Sequence, residues 1–269
     1  MTFNKLTFFD TNKLPGIYEA FMLILLTALF SLAVGVFIGF LVNVLPFLQP
    51  WLFFLSYSLT FGVVYFTARF FWQINSIAHK RVSWVIYLLI LPIIIALSIL
   101  TEGLVGLIPM PQKVQEFFLS MVQLNIYGYL TIGIAAPILE ELIFRGIVLK
   151  AFLKKYEPVK AIMWSAIIFG IAHLNPWQFV PAWLIGIFIG WIYWKTQSIW
   201  PGIIVHFINN SFSFALGYWT RDINISFYDL SGNIMNYIIL LLVCLLVSTG
   251  LILWLIKFFQ NQPVETILE

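Results

Sequence analysis

Apolar positions run through this chain in blocks too long for a soluble core, and short polar stretches, prolines and glycines separate them. A membrane-spanning helix needs about 20 consecutive apolar residues. On that measure the chain predicts about eight spanning helices, near 17–45, 51–72, 82–100, 124–152, 160–175, 179–195, 199–219 and 234–259, with the fifth and sixth short. Linkers are brief except for 101–123 and 220–233, and within the first of these Pro109–Gln123 reads as an interfacial amphipathic helix. The first run follows mostly polar residues and far exceeds the roughly 7–15 residues of a secretory h-region, so it predicts a retained transmembrane helix. The expected fold is all-α, a polytopic membrane helix bundle. It divides into N-terminal helices with an interfacial segment (1–123), a core (124–219), and a C-terminal loop with the last helix (220–269).

Composition sharpens this picture. Hydrophobic residues make up 62% of the chain and charged residues 9%, against roughly 25% charged in soluble domains. The net charge of +3 carries no basic cluster with interleaved aromatics, so nothing points to nucleic acid. The single cysteine, Cys244, lies in an apolar run and can form no intramolecular disulfide.

Basic residues test the span map. With a cytoplasmic N-terminus, Lys5, Lys13, Arg69, Lys80, Arg81, Lys150, Lys154, Lys155, Lys160, Lys195 and Lys257 fall on the cytoplasmic side, and only Lys113 and Arg221 fall opposite. Basic loops resist translocation, so this bias predicts that both termini are cytoplasmic. Two small-xxx-small pairs, Gly35/Gly39 and Gly186/Gly190, predict close helix packing within the monomer.

Against this apolar background a few polar residues stand out, all in the second half. "PILEELIFRG" places Glu140, Glu141 and Arg145 inside a predicted span. A charge near the bilayer centre costs about 2.5–3.5 kcal/mol on insertion scales, so these side chains should face protein or a wet cavity. Glu141 and Arg145, four apart, share a helix face and can pair, whereas Glu140 points about 100° away and is free to react. "FGIAH" sets Phe169 and His173 four apart, and "HFINN" does the same for His206 and Asn210; His79, beside Lys80 and Arg81, reads as a loop residue. Counting about 1.5 Å per residue from the helix ends, Glu140 and Glu141 lie roughly 18 Å deep, His173 roughly 20 Å, His206 roughly 10 Å and Asn210 roughly 16 Å. Three helices could bring them together at one level.

A carboxylate and imidazoles in a partly dry cavity suit water activation. Glu140 with His173 could take a proton from water poised on a peptide carbonyl, and His206 with Asn210 could donate to the oxyanion. Zinc bound by two His and a carboxylate is a competing arrangement, although the HExxH spacing is absent. Ser165 and Ser211 lie near the motifs without a GxSxG turn. A transporter or proton relay would use similar residues, but no related halves or paired broken helices are evident.

Taken in order, EExxxR (Glu140, Glu141, Arg145), FxxxH (Phe169, His173) and HxxxN (His206, Asn210) resemble the Abi family, the CAAX protease and bacteriocin-processing family of intramembrane endopeptidases. The resemblance covers roughly 124–219, and the surrounding phrases look bacterial. It implies a glutamate-dependent protease that uses no metal or cofactor. Glu140 and His173 would activate water, His206 and Asn210 would form the oxyanion site, and Glu141, Arg145 and Phe169 would give support. The implied substrate is a membrane-associated peptide or protein in a bacterial cell membrane. The same resemblance includes non-catalytic immunity or scaffold proteins that act through a regulatory membrane partner. The sequence sets no oligomeric state.

Overall fold

The structure is a computed structural model that describes residues 14–106, 110–114, 116, 123–221 and 225–261. The interfacial helix expected over 109–123 falls largely outside these residues. Among the described residues the protein is a helical bundle, and eight long helical segments follow the order read from the sequence.

Helix α1 (Ile17–Val44) starts at Gly16, whose N–H donates to the Glu19 carboxylate at 2.8 Å, and it stops before Pro46. A 3₁₀ turn (Pro46–Trp51) feeds α2 (Leu52–Phe71), and α3 is Trp84–Val105. The fourth pass, α4 (126–155), is one continuous helical run interrupted twice: π-helical turns at Leu130–Ala135 and Phe144–Leu149 flank the α-helical Ala136–Ile143. Helices α5 (Pro158–Ile171) and α6 (Pro176–Thr196) form a tight hairpin. Its turn places Leu174 at φ 57°, and Asn175 caps α6 by accepting from the Gln178 N–H at 2.8 Å. Helix α7 spans Trp200–Thr220, a short α8 covers Phe227–Ser231, and α9 is Ile234–Gln260.

Five helical segments are long and apolar enough to cross a membrane: α1, the α2 pass, α3, α6 and α9. The other three do not meet that measure for different reasons. The interruptions divide α4, α5 has 14 residues, and α7 carries His206, Asn209 and Asn210.

Two buried clusters hold the bundle together. One joins α1, α2, α4, α5 and α6 around Ile147, Leu149, Phe152 and Ile168; the other joins α3, α6, α7 and α9 around Ile90, Ile189, Ile192 and Leu255. The helix connections expected on the cytoplasmic side meet at one end. Lys150 Nζ donates to the Ser76 carbonyl at 2.6 Å, Lys155 Nζ reaches the Leu14 carbonyl, and Ile199 N–H donates to the Ala78 carbonyl at 2.9 Å. His79 lies in this end, bridged to Ser198, as a loop residue. At the opposite end Trp51 packs edge-on against Tyr127, with ring centroids 4.8 Å apart.

The two glycine pairs behave differently. A Cβ on Gly186 would meet Phe169 and Ala166 at 3.2–3.3 Å, and one on Gly190 would meet Ile162 at 3.1 Å, so this pair lets α6 lie close against α5. Among the described residues nothing lies within 4 Å of such a Cβ on Gly35 or Gly39, which corrects the expectation that both pairs pack within the monomer.

Candidate active site

The site lies where α2, α4, α5 and α7 converge. Its foundation is Glu141, wholly buried, with Arg145 only 1% exposed. Arg145 Nη1 donates to Glu141 Oε1 at 2.8 Å, and Nη2 donates to the Gly186 carbonyl at 3.2 Å. The guanidinium carbon stands 4.6 Å from the centre of the Phe169 ring, a cation–π contact that also fixes that ring. The other carboxylate oxygen, Oε2, lies against the first turn of α7: a Cβ on Gly202 would come within 3.0 Å of it. Negative charge is favoured at a helix N-terminus, so the glycine admits the carboxylate to a favourable position.

His206 joins both glutamates. Its Nδ1 is 3.1 Å from Glu141 Oε1, and its Nε2 is 3.9 Å from Glu140 Oε2. An ionised carboxylate only accepts, so Nδ1 carries the proton in this contact. The neutral ring then has an Nε2 lone pair, and the protonated ring has an Nε2–H facing Glu140.

Glu140 is held from a direction the sequence does not disclose. The Tyr57 hydroxyl on α2 donates to Glu140 Oε1. Tyr57 is itself fixed by stacking on Phe61, with centroids 4.4 Å apart and planes 14° from parallel. The second oxygen, Glu140 Oε2, is buried with no hydrogen-bond partner among the described residues. It is therefore a sheltered acceptor, and the side chain as a whole is 12% exposed.

Asn210 projects from α7 one turn beyond His206. Its Nδ2 donates to the Ile132 carbonyl at 2.8 Å, and its Oδ1 accepts from Asn209 Nδ2 at 3.2 Å. Ile132 belongs to the first π turn of α4, where the altered helical pattern turns a carbonyl to a neighbour. These two bonds orient the Asn210 amide and leave it one N–H to donate elsewhere.

His173 approaches through an intermediary. Its Nδ1 lies 3.0 Å from the Phe169 carbonyl, and its ring stands perpendicular to the Phe169 ring at 5.1 Å. Since a carbonyl only accepts, Nδ1 carries the proton in this contact, and in the neutral ring Nε2 keeps its lone pair. His206 meets the same Phe169 ring at 5.6 Å, so one aromatic side chain separates and orients the two imidazoles.

Glu140, Glu141, Arg145, Phe169 and His206 thus touch one another directly or through one partner, and Asn210 sits beside them. The geometry does not bring His173 into hydrogen-bond contact with Glu140. Among the described residues no three His, Cys, Asp or Glu side chains converge as metal ligands. Sequence reasoning missed Tyr57 and Asn209. Asn209 had a visible signal in the Asn-Asn doublet of "HFINN"; Tyr57 had none, because nothing local distinguishes it in the aromatic-rich α2.

Fold and site together define a class: helical membrane proteins that keep an acid–imidazole centre inside the bundle. Residues 122–212 match the family described as type II CAAX prenyl endopeptidase Rce1-like, so this segment of the chain is similar to that family. The chain is also 35% identical over 80 residues to a Bacillus subtilis (strain 168) protein described as "Putative membrane peptidase YdiL". That stretch covers 30% of this chain and 33% of the relative, so the chain spans about a third of the length of the relative it matches. No solved structure matches it.

Proposed function

We propose that the protein is an intramembrane endopeptidase that hydrolyses a peptide bond in a membrane-associated peptide or protein. The observation that carries this reading is Glu140 Oε2, a buried acceptor without a protein partner, beside the Nε2 of His206. Water accepted by Glu140 attacks the scissile carbonyl and gives up its proton to the carboxylate. The oxyanion then takes a hydrogen bond from His206 Nε2–H in the protonated ring and another from the free N–H of Asn210. Collapse of this tetrahedral intermediate breaks the C–N bond, and the proton held by Glu140 passes to the leaving amine, which returns Glu140 to its ionised form. His173 lies beyond the Phe169 ring, so its part in holding the water requires substrate binding to draw its imidazole toward Glu140. Glu141 and Arg145 fix His206 in place, and Tyr57 fixes Glu140. The concentration of lysine and arginine at one end supports placing that end, and both termini, in the cytoplasm, and the likeness of the motif phrases to bacterial members supports a bacterial cell membrane.

The test is Glu140→Gln, which keeps shape and removes the base. Peptides released by cells carrying the wild-type or the variant protein identify substrates, and cleavage should fall about 10²–10⁴-fold. Wild-type cleavage by the variant rejects the mechanism. A zinc-dependent version predicts loss of activity with a chelator and stoichiometric zinc in the purified protein, and the mechanism above predicts neither.

The position of His173, bonded to its own helix backbone rather than to Glu140, favours a second reading: a non-catalytic scaffold or immunity protein that binds a peptide in the same centre. Full complementation of a deletion by both Glu140→Gln and His173→Ala would establish it.

A further inference from the structure

A second polar feature lies farther along α7, toward its C-terminal end. Between α3, α7 and the segment leading into α8 is a cavity of about 140 Å³ whose walls include Ser98, Glu102, Phe212, Ser213 and Phe227. Glu102 stands in the last turn of α3, in the first half of the chain. The Phe227 N–H donates to its carboxylate. The remaining oxygen, Oε2, is buried with no hydrogen-bond partner among the described residues. Phe212 and Phe227 stack 11° from parallel with centroids 6.0 Å apart, and both rings reach the cavity. Asp229 adds a second negative charge nearby. At the inner end Ser98 Oγ lies 2.7 Å from Asn209 Oδ1, and Asn209 Nδ2 donates to Asn210 at 3.2 Å.

We infer that this cavity binds a positively charged group, the ammonium or guanidinium of a basic side chain on the peptide substrate. An unpaired buried carboxylate oxygen calls for a donor, and a cation supplies both the donor and the balancing charge. Serine hydroxyls accept the remaining N–H groups, and aromatic faces attract the cation. A neutral donor could meet the Glu102 oxygen but would leave its charge unbalanced, and an anionic group would be repelled. The cavity ends two hydrogen bonds from Asn210, so a basic residue seated there positions a peptide relative to the reacting centre. That last step rests on the proposed endopeptidase function; cation binding itself does not.

The test therefore reads binding without activity. Full-length protein in nanodiscs carries Cys244→Ala, which removes its only cysteine, and Ser213→Cys at the cavity mouth. Rates of modification by cationic aminoethyl and anionic sulfonatoethyl methanethiosulfonate are measured and normalised to a free thiol. The cationic reagent should be preferred about tenfold or more, and Glu102→Gln should remove most of that preference. An Asn233→Cys control at the same end, outside the cavity, should show little preference. N-acetyl-arginine amide should slow cationic labelling of Ser213→Cys, while N-acetyl-norleucine amide should not. Equal normalised rates, a preference that survives Glu102→Gln, absence of labelling, or equal protection by the two amides overturns the inference. If cation selectivity holds while Glu140→Gln still cleaves normally, the cavity stands and the proteolytic mechanism alone fails.

Discussion

The outermost and innermost helices follow opposite rules. Helices α1 and α9 are long, uninterrupted and mostly exposed, with rows of Leu, Val and Phe turned outward. Helices α4 and α7 carry the polar residues, and α4 is broken by two π turns. For an outer helix the surroundings are lipid, which offers no partner to a polar group, so the helix must be apolar along its length. For an inner helix the surroundings are other side chains, and Glu141 can be wholly buried because Arg145 and His206 meet it there. Average hydropathy identifies the first kind and under-reports the second, because what makes an inner helix functional also makes it a poor hydrophobic segment.

The sharpest way to break this contrast is to remove one partner from the buried pair. Arg145→Leu leaves Glu141 ionised in the interior with His206 as its remaining partner, and such uncompensated burial costs about 3–5 kcal/mol. Denaturant or thermal unfolding of the purified protein should show that loss. The double variant Glu141→Leu/Arg145→Met should recover much of the stability, because apolar replacement of a buried ion pair is often close to neutral. A single variant within about 1 kcal/mol of wild type would mean that the pair does not carry the interior.

Next in size is Gly202→Ala. The added methyl would stand 2.9 Å from Ile189 Cγ2 and 3.0 Å from Glu141 Oε2, so a packed side chain or the anchoring carboxylate must shift. Overpacking of this kind costs about 1–3 kcal/mol. Because Glu141 holds His206, cleavage should fall by more than the loss of folded protein accounts for, and activity measured per folded molecule separates the two effects.

The contrast also explains what could be read in advance. The spans expected at 17–45 and 234–259 correspond to Ile17–Val44 and Ile234–Gln260, because periodic apolar runs are a local property. The Glu141–Arg145 contact was legible for the same reason: both residues sit on one helix, four apart. Tyr57 was not, since its role comes from a contact 83 positions along the chain, and one more aromatic in α2 carries no distinguishing local pattern. The π turns were hidden too; they arise where α4 fits its neighbours, and nothing in "LTIGIA" or "FRGIVL" marks them. Glu102 lay in plain view near the end of α3, but a helix end reads as an ordinary place for a charge, and only the cavity gives it meaning.

Tyr57→Phe sharpens the comparison within the site. The ring remains stacked on Phe61, so unfolding stability should change by less than about 1 kcal/mol. The lost hydroxyl frees Glu140 Oε1, and a hydrogen bond to an ionised group is worth about 1.5–3 kcal/mol. Part of that is recovered by water, so cleavage should drop about tenfold, a change of about 1.4 kcal/mol. An unchanged rate would show that Glu140 does not depend on α2 for its position.

The smallest effect belongs to the outer helix. Gly35 and Gly39 lie one turn apart on α1 with open space where a Cβ would go, whereas Gly190, one turn from Gly186, is 3.1 Å from Ile162 at that point. Glycine in a helix interior is less favourable than alanine by about 0.5–1 kcal/mol. Gly35→Ala and Gly39→Ala should therefore leave stability unchanged or raise it by up to that amount each, and neither should alter cleavage. Destabilisation by more than about 1 kcal/mol has no source among the described residues of a single copy. It would mean that another helix, from a second copy or a partner, covers this face of α1, and that this outer helix obeys the rule of the inner ones.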